Sequence, residues 1–169
     1  MPTHPASPAD VRAQWAAHHP GLDTSPMEVV GLLKRATGLL DRAVEPLYAG
    51  APLTAPEIDA LIPLRHATEP VIARSLAERL GLSRAGVSKT LAKLEKRGFI
   101  TRTPNPADRR AALLAITESG AKAVDDLFPR QLAAEVRLLE GLGDDRDWVL
   151  RALGRLVETM EGQGRRENG

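Results

Sequence analysis

Apolar residues recur along most of this chain every three or four positions, the period of helices with one buried face. The helix starts are clearly marked. Ser7-Pro8-Ala9-Asp10 sets a capping hydroxyl before a proline, with an acid three residues after the cap, and predicts a short helix to about His18 that stops at Pro20-Gly21. Ser25-Pro26-Met27-Glu28 repeats the device and opens a helix carrying Val30, Leu33, Leu40, Val44 and Leu47, ending near Ala49-Gly50. Thr54-Ala55-Pro56-Glu57 opens a third helix, through Ile58, Leu61, Ile62 and Arg65. Two shorter helices follow. One runs from about Val71 to Leu80 and is closed by Gly81; the other is capped by Ser83 and ends at Arg97-Gly98. In the second, Val87, Leu91 and Leu94 form the inward stripe, leaving Arg84, Ser88, Lys89 and Lys93 free to face out.

The period then changes. Phe99 to Thr103 reads as a strand, Pro104 to Arg110 as a polar turn, and Ala111 to Ile116 as the returning strand. Thr117-Glu118-Ser119-Gly120 begins a long helix with Val124, Leu127, Phe128, Leu132, Val136 and Leu139, which Pro129 is expected to kink or split. Gly141 to Gly143 breaks the chain, Asp144 is the expected cap of a last helix, and Val149, Leu153, Leu156 and Met160 form a near-heptad seam. The resulting architecture is mainly α with one small β-hairpin. It comprises an extension with a short helix over 1–24, a long helix over 25–52, a compact domain over 53–120, C-terminal helices over 121–162 and a disordered polar tail over 163–169. A small domain has one core to fill, so long apolar helices at both ends predict a second copy of the chain as partner.

Length and composition narrow the chemistry. The 169 residues, 43% hydrophobic and 27% charged, suffice to bury a core without metal or disulfide support. With no cysteine, disulfide frameworks, thiolate metal sites and cysteine nucleophiles are excluded, in keeping with a reducing cytoplasm. Met1 to Asp10 lacks the basic start and apolar run of a signal peptide, and no apolar stretch is long enough to span a membrane. His18 and His19 are adjacent and diverge on a helix, so no metal site is expected. No nucleophile elbow, phosphate loop or paired metal-binding histidine motif occurs, which argues against an enzyme, and no cofactor is called for.

The net charge of +1 conceals an asymmetry. Between Pro70 and Arg110 lie ten basic and three acidic residues, a balance of +7; the remaining 13 basic and 19 acidic residues leave −6 elsewhere. A basic module on an acidic body suits a polyanion. The helix closed by Gly81, the turn Leu82-Ser83 and the basic helix beyond it have the parts of a helix-turn-helix: small Ala77 at the crossing, Gly81 for a left-handed turn, Ser83 as cap. Such a helix fits the major groove of double-stranded DNA, and its basic flanks meet phosphates. Asp108-Arg109-Arg110 at the hairpin tip can place an arginine in the minor groove, with Asp108 holding that side chain.

Leu80 to Arg102, then Asn105-Pro-Ala-Asp-Arg-Arg, then Leu114-Ala-Ile-Thr-Glu-Ser-Gly, resembles the MarR-type winged helix-turn-helix regulators. The resemblance implies an obligate homodimer through its N- and C-terminal helices, a pseudo-palindromic operator, and repression relieved by a small ligand. Arg110 then matches the minor-groove arginine and Asp108 the acid that orients it, with Arg109 beside them. Ser83, Arg84, Ser88 and Lys89 match the exposed start of the recognition helix, and Lys93 further along it is a candidate DNA contact as well.

A narrower resemblance concerns the added first helix with Trp15, which is similar to the urate-responsive branch of that family. Trp15, Asp59 and Arg102 match three of its four ligand positions; the fourth falls at Thr90, not an arginine. Arg102 and Trp15 together would suit a planar aromatic anion, the guanidinium forking onto the charge and the indole stacking on the ring. Without the second arginine, phenolic or aromatic carboxylates fit better than urate. The competing class is a helical interaction module that keeps the fold without binding DNA, against which the +7 segment and the intact wing tip speak.

Overall fold

The computed structural model describes residues 6–167. In chain order it comprises α1 (Pro8–His18), α2 (Pro26–Tyr48), α3 (Ala55–Arg65), β1 (Val71–Ile72), α4 (Ala73–Leu80), α5 (Arg84–Lys96), β2 (Ile100–Pro104), β3 (Ala112–Ile116), α6 (Glu118–Leu139), a 3-10 helix (Glu140–Asp145) and α7 (Arg146–Glu167). The fold is the expected one: helical, with a small antiparallel sheet in the order β1-β3-β2.

Most capping expectations hold. Asp10 accepts the Ser7 N–H at 2.9 Å while Ser7 Oγ accepts the Asp10 N–H at 3.1 Å, a reciprocal box at the start of α1. Glu57 Oε2 accepts the Thr54 N–H at 2.9 Å in front of α3. Ser25 differs. It already has helical backbone angles and makes no side-chain cap. Asp23 Oδ1 accepts its N–H at 2.9 Å, and the Thr24 carbonyl takes the Met27 N–H. The acid two residues upstream has displaced the serine as the terminating acceptor.

Three boundaries also move. Val71 and Ile72 do not open α4 but pair with Leu114 and Leu113, forming a third strand. Two β-branched residues gain more from a sheet partner than from a first helical turn. Pro129 does not split α6, nor do Pro46 and Pro63 split α2 and α3. Each proline removes one donor, but the packed face on either side holds the helix together. Asp144 caps nothing: it lies within the 3-10 turn, and α7 starts at Arg146. Finally α7 runs on to Glu167 through the segment expected as a disordered tail, so the two glycines at 162 and 164 are tolerated among good helix formers; residues 168 and 169 lie outside the described residues.

The chain forms two compact units, residues 1–135 and 136–169. The first holds the core. Ile58, Leu61, Leu91 and Leu94 have no exposed surface, and Leu53, Leu76, Val87 and Ile100 almost none. They join α3, α4, α5 and β2 with Leu114 of β3 and Val124 and Leu127 of α6. Truncating one such leucine to alanine costs about 2–5 kcal/mol, so this cluster sets the geometry of the helix-turn-helix. On α2 of the same unit Val29, Val30, Leu32, Leu39 and Leu40 stay exposed. In the second unit Leu150, Leu153, Val157 and Met160 of α7 are exposed as well. Among the described residues no helix is long and apolar enough to cross a membrane.

Candidate nucleic-acid interface

The basic segment folds so that its apolar residues are consumed by the core and its cations are left outside. Leu76 and Ala77 of α4 are buried where α4 meets α5, as the small residue at that crossing requires. Gly81 takes a φ of +63°, and the Leu82 N–H returns to the Ala77 carbonyl at 3.0 Å, closing α4 in a left-handed cap. Ser83 Oγ then accepts the Gly86 N–H at 3.1 Å and starts α5. Val87, Leu91 and Leu94 point inward, and Ser83, Arg84, Ser88, Lys89 and Lys93 are all exposed. At the other end Gly98, with a φ of +77°, lets the Phe99 N–H reach the Leu94 carbonyl at 2.9 Å. That turn sends the chain directly from the basic helix into the hairpin.

β2 and β3 pair in register from Ile100 with Ile116 to Pro104 with Ala112. The buried end of the hairpin lies at Ile100, and the tip from Pro106 to Arg110 is exposed. Asp108 acts at that tip differently from expectation. Its Oδ1 accepts the backbone N–H of Arg110 at 2.9 Å, and its carbonyl accepts the Ala111 N–H. Asn105 Oδ1 likewise accepts the Ala107 N–H at 3.0 Å. Two Asx turns shape the backbone, and Asp108 makes no ion pair with the Arg110 side chain among the described residues. The guanidinium is thereby left free while the chain that carries it is held.

The local electrostatics favour an anionic partner. Glu78 is taken by Arg74 at 2.9 Å, Glu95 by Arg102 at 2.9 Å, and Glu57 by Arg97 at 3.0 Å. Arg84, Lys89, Lys93, Arg109 and Arg110 form no ion pair among the described residues. The positive end of the α5 dipole adds to the same field. Glu57, almost fully buried, faces a burial cost on its charge, but the Thr54 N–H and the Arg97 guanidinium hold its carboxyl below the usual range. Arg97 also bonds the Pro52 carbonyl and lies 5.1 Å over the Phe99 ring, so it buttresses α3, α5 and the hairpin base instead of facing a ligand.

The three residues matched to a ligand site lie on three different elements, α1, α3 and β2, and line no common cavity. Trp15 is exposed on α1 and stacks on His19 at 5.1 Å. Arg102 is held by Glu95. Asp59 is exposed on α3, but desolvation by its neighbours, with Glu135 and Asp41 nearby, pushes its carboxyl above the usual range. A cavity of about 590 Å³ opens between α2 and α3, lined by Gly38, Asp41, Arg42, Val44, Glu45, Tyr48, Ala55 and Pro56; none of the three lines it. Sequence reasoning missed the network beside this cavity. The Tyr48 hydroxyl donates to Gln131 Oε1, and Gln131 Nε2 donates to Glu135 Oε1 at 2.8 Å. Burial, Asp59 and Glu135 push the Tyr48 phenol up to about 12. The separation of 83 residues between Tyr48 and Gln131 leaves no local signal to find it.

Comparison with known proteins decides the class. The MarR family model matches residues 53–112, which span the helix-turn-helix, β2 and the wing tip described above. The transcriptional regulator YdcH of Bacillus subtilis is 33% identical over 119 residues, spanning 69% of this chain and 79% of that protein. The chain belongs to the MarR family. Within it, the regulator PecS of Dickeya dadantii is 29% identical over 152 residues, covering 89% of this chain and 92% of PecS. Among solved structures, CouR from Rhodococcus jostii RHA1 bound to p-coumaroyl-CoA superposes with a TM-score of 0.64 at 28% identity, covering 76% of this chain and 90% of CouR. CouR, a transcriptional repressor, bound to a 23-mer DNA duplex gives 0.66 at 28% identity, over 80% and 98%. This MarR-family protein is a winged helix-turn-helix, DNA-binding transcriptional regulator, and its relatives are regulators, not enzymes.

Proposed function

We propose that this MarR-family regulator is a homodimeric repressor of a pseudo-palindromic operator, released by a small planar aromatic anion. The observation that carries the reading is the set of exposed cations that form no ion pair among the described residues: Arg84, Lys89 and Lys93 on α5, and Arg109 and Arg110 at the wing tip. α5 enters the major groove, where Ser83, Arg84, Ser88 and Lys89 reach base edges and nearby phosphates. The wing lies along the minor groove, where Arg110 enters and Asp108 shapes the turn that presents it. The exposed apolar residues of α2 and α7 supply the dimer surface, so that helices within 25–52 and 121–162 pair two copies and space two half-sites about 10 base pairs apart.

The effector reading rests on chemistry in the chain and in a relative. Trp15 offers an exposed indole, Arg102 a guanidinium and Asp59 a carboxyl in an acidic surround. CouR is captured with an aromatic thioester, p-coumaroyl-CoA. In the protomer the three residues line no common cavity, so an effector that uses all of them must bring them together across the dimer or on a change of conformation. A ligand shifts the equilibrium only by its difference in affinity between the DNA-bound and free states; tenfold release needs about 1.4 kcal/mol.

The test is fluorescence anisotropy on the promoter beside the protein's own gene. Neutralising on the order of 6–10 phosphates gives a log–log salt slope of about −5 to −9. Arg110→Ala is expected to lose on the order of 1–3 kcal/mol, tenfold or more. Wild-type affinity in Arg110→Ala removes the wing from the reading. Absence of any salt-dependent complex leaves the interaction module that keeps the fold without binding DNA.

A further inference from the structure

The wing and α5 must meet two neighbouring grooves at once, so the angle between them is part of the reading of DNA. At its base the hairpin is firmly anchored. Ile100 is buried, the Phe99 N–H bonds the Leu94 carbonyl, and the hydroxyls of Thr117 and Ser119 both donate to the Gly98 carbonyl at 2.7 and 2.9 Å. Beyond the base, β2 projects with Thr101, Thr103 and Pro104 exposed. Among the described residues one ion pair links this outward stretch back to α5: Arg102 Nε lies 2.9 Å from Glu95 Oε2, paired by charge and without the alignment of a hydrogen bond. Arg102 stands opposite Leu114 in the ladder, and Glu95 is on the last turn of α5. Glu95 is also the lone acid of α5. An acid on a helix that meets phosphates is costly unless it serves another purpose.

We propose that Glu95 is a positioning residue for DNA recognition, setting through Arg102 the height at which the wing presents Arg110 relative to α5. The inference rests on the DNA reading above and adds to it a residue that touches no DNA. The side chains are 29% and 44% exposed, and pairs of that kind add little to stability. Their effect therefore belongs in binding and not in melting.

A double-mutant cycle separates the roles. Operator affinity is measured by anisotropy for wild type, Glu95→Gln, Arg110→Ala and the double variant, with the melting temperature of each. Glu95→Gln is expected to lose about fivefold in affinity with an unchanged melting temperature, and to lose less than twofold when Arg110 is already absent. If Glu95→Gln binds more tightly, by the same factor in both backgrounds, Glu95 merely repels phosphates and the proposal is overturned. An equal loss in both backgrounds overturns it too, since the residue then acts on the fold and not on the wing arginine. A wild-type protein that forms no complex overturns the DNA reading itself, and this inference with it.

Discussion

Gly120→Ala is expected to unfold the regulator well before the parent, although it adds one methyl group. Gly120 stands in the first turn of α6 and is buried against the hairpin base. A Cβ there would lie 2.2 Å from the Phe99 carbonyl oxygen and 2.8 Å from Ile116 Cγ1. Real Cβ atoms essentially never come within 3.0 Å, and the first obstacle is backbone, so the helix start or the turn after α5 must move. The Phe99 carbonyl also accepts the Thr117 N–H at 3.1 Å, and Thr117 Oγ1 accepts the Gly120 N–H at 3.1 Å, so movement strains both bonds. Overpacking costs about 1–3 kcal/mol, and weakening a buried hydrogen bond about 1 kcal/mol. The better helix propensity of alanine returns up to about 1 kcal/mol. The net loss is about 1–3 kcal/mol, which lowers the melting temperature of a chain this size by about 2–12 °C. Circular dichroism or calorimetry measures it. Gly38→Ala is the control: Gly38 lies inside α2 with nothing within 4 Å of an added Cβ, so it should hold or raise the melting temperature. A Gly120→Ala protein that melts within 1 °C of the parent refutes the close approach of α6 to the hairpin.

Other outcomes follow from the same geometry. Glu57→Gln should lose about 1–2 kcal/mol at pH 7. The Glu57 carboxyl is held low, so its contribution is present above the ordinary carboxylate pKa and fades as pH falls through the folded value; the gap to the parent in melting temperature should close in acid, and a constant gap refutes the ion pair. Asp59 has the opposite sign: its carboxyl is held high, its favourable contribution is lost as pH rises, and Asp59→Asn should melt above the parent at neutral pH but not at acid pH. Leu153→Asp with Leu156→Asp should yield a monomer by light scattering, where the parent scatters as about twice 18.2 kDa; a monomeric parent at micromolar concentration rules out the α7 seam. An aromatic carboxylate that releases DNA should quench the parent's fluorescence and leave Trp15→Phe, in which Trp148 remains, unchanged; equal quenching of both places the ligand away from Trp15.

Much of this protein was decided locally. Capping serines, the spacing of Val87, Leu91 and Leu94, and the change of period at Phe99 each act over a few residues, so helix starts, recognition helix and wing could be read in order along the chain. The charge asymmetry was likewise visible, because it needs only composition by segment. What tertiary structure decided is everything that depends on which distant residue arrives. β1 exists because Leu113 and Leu114 come back to meet Val71 and Ile72. Arg97 became a buttress because Glu57, the Pro52 carbonyl and Phe99 converge on it, and Arg102 was claimed by Glu95. Asp108 turned to a backbone N–H two residues away, an outcome that depends on the turn geometry at the tip and that residue types alone do not choose. The Tyr48–Gln131 bond joins helices 83 residues apart. Side-chain type and spacing specify which faces are buried; which polar partner each charged group finds is set by packing, because a hydrogen bond depends on ångström-scale placement that no local pattern encodes.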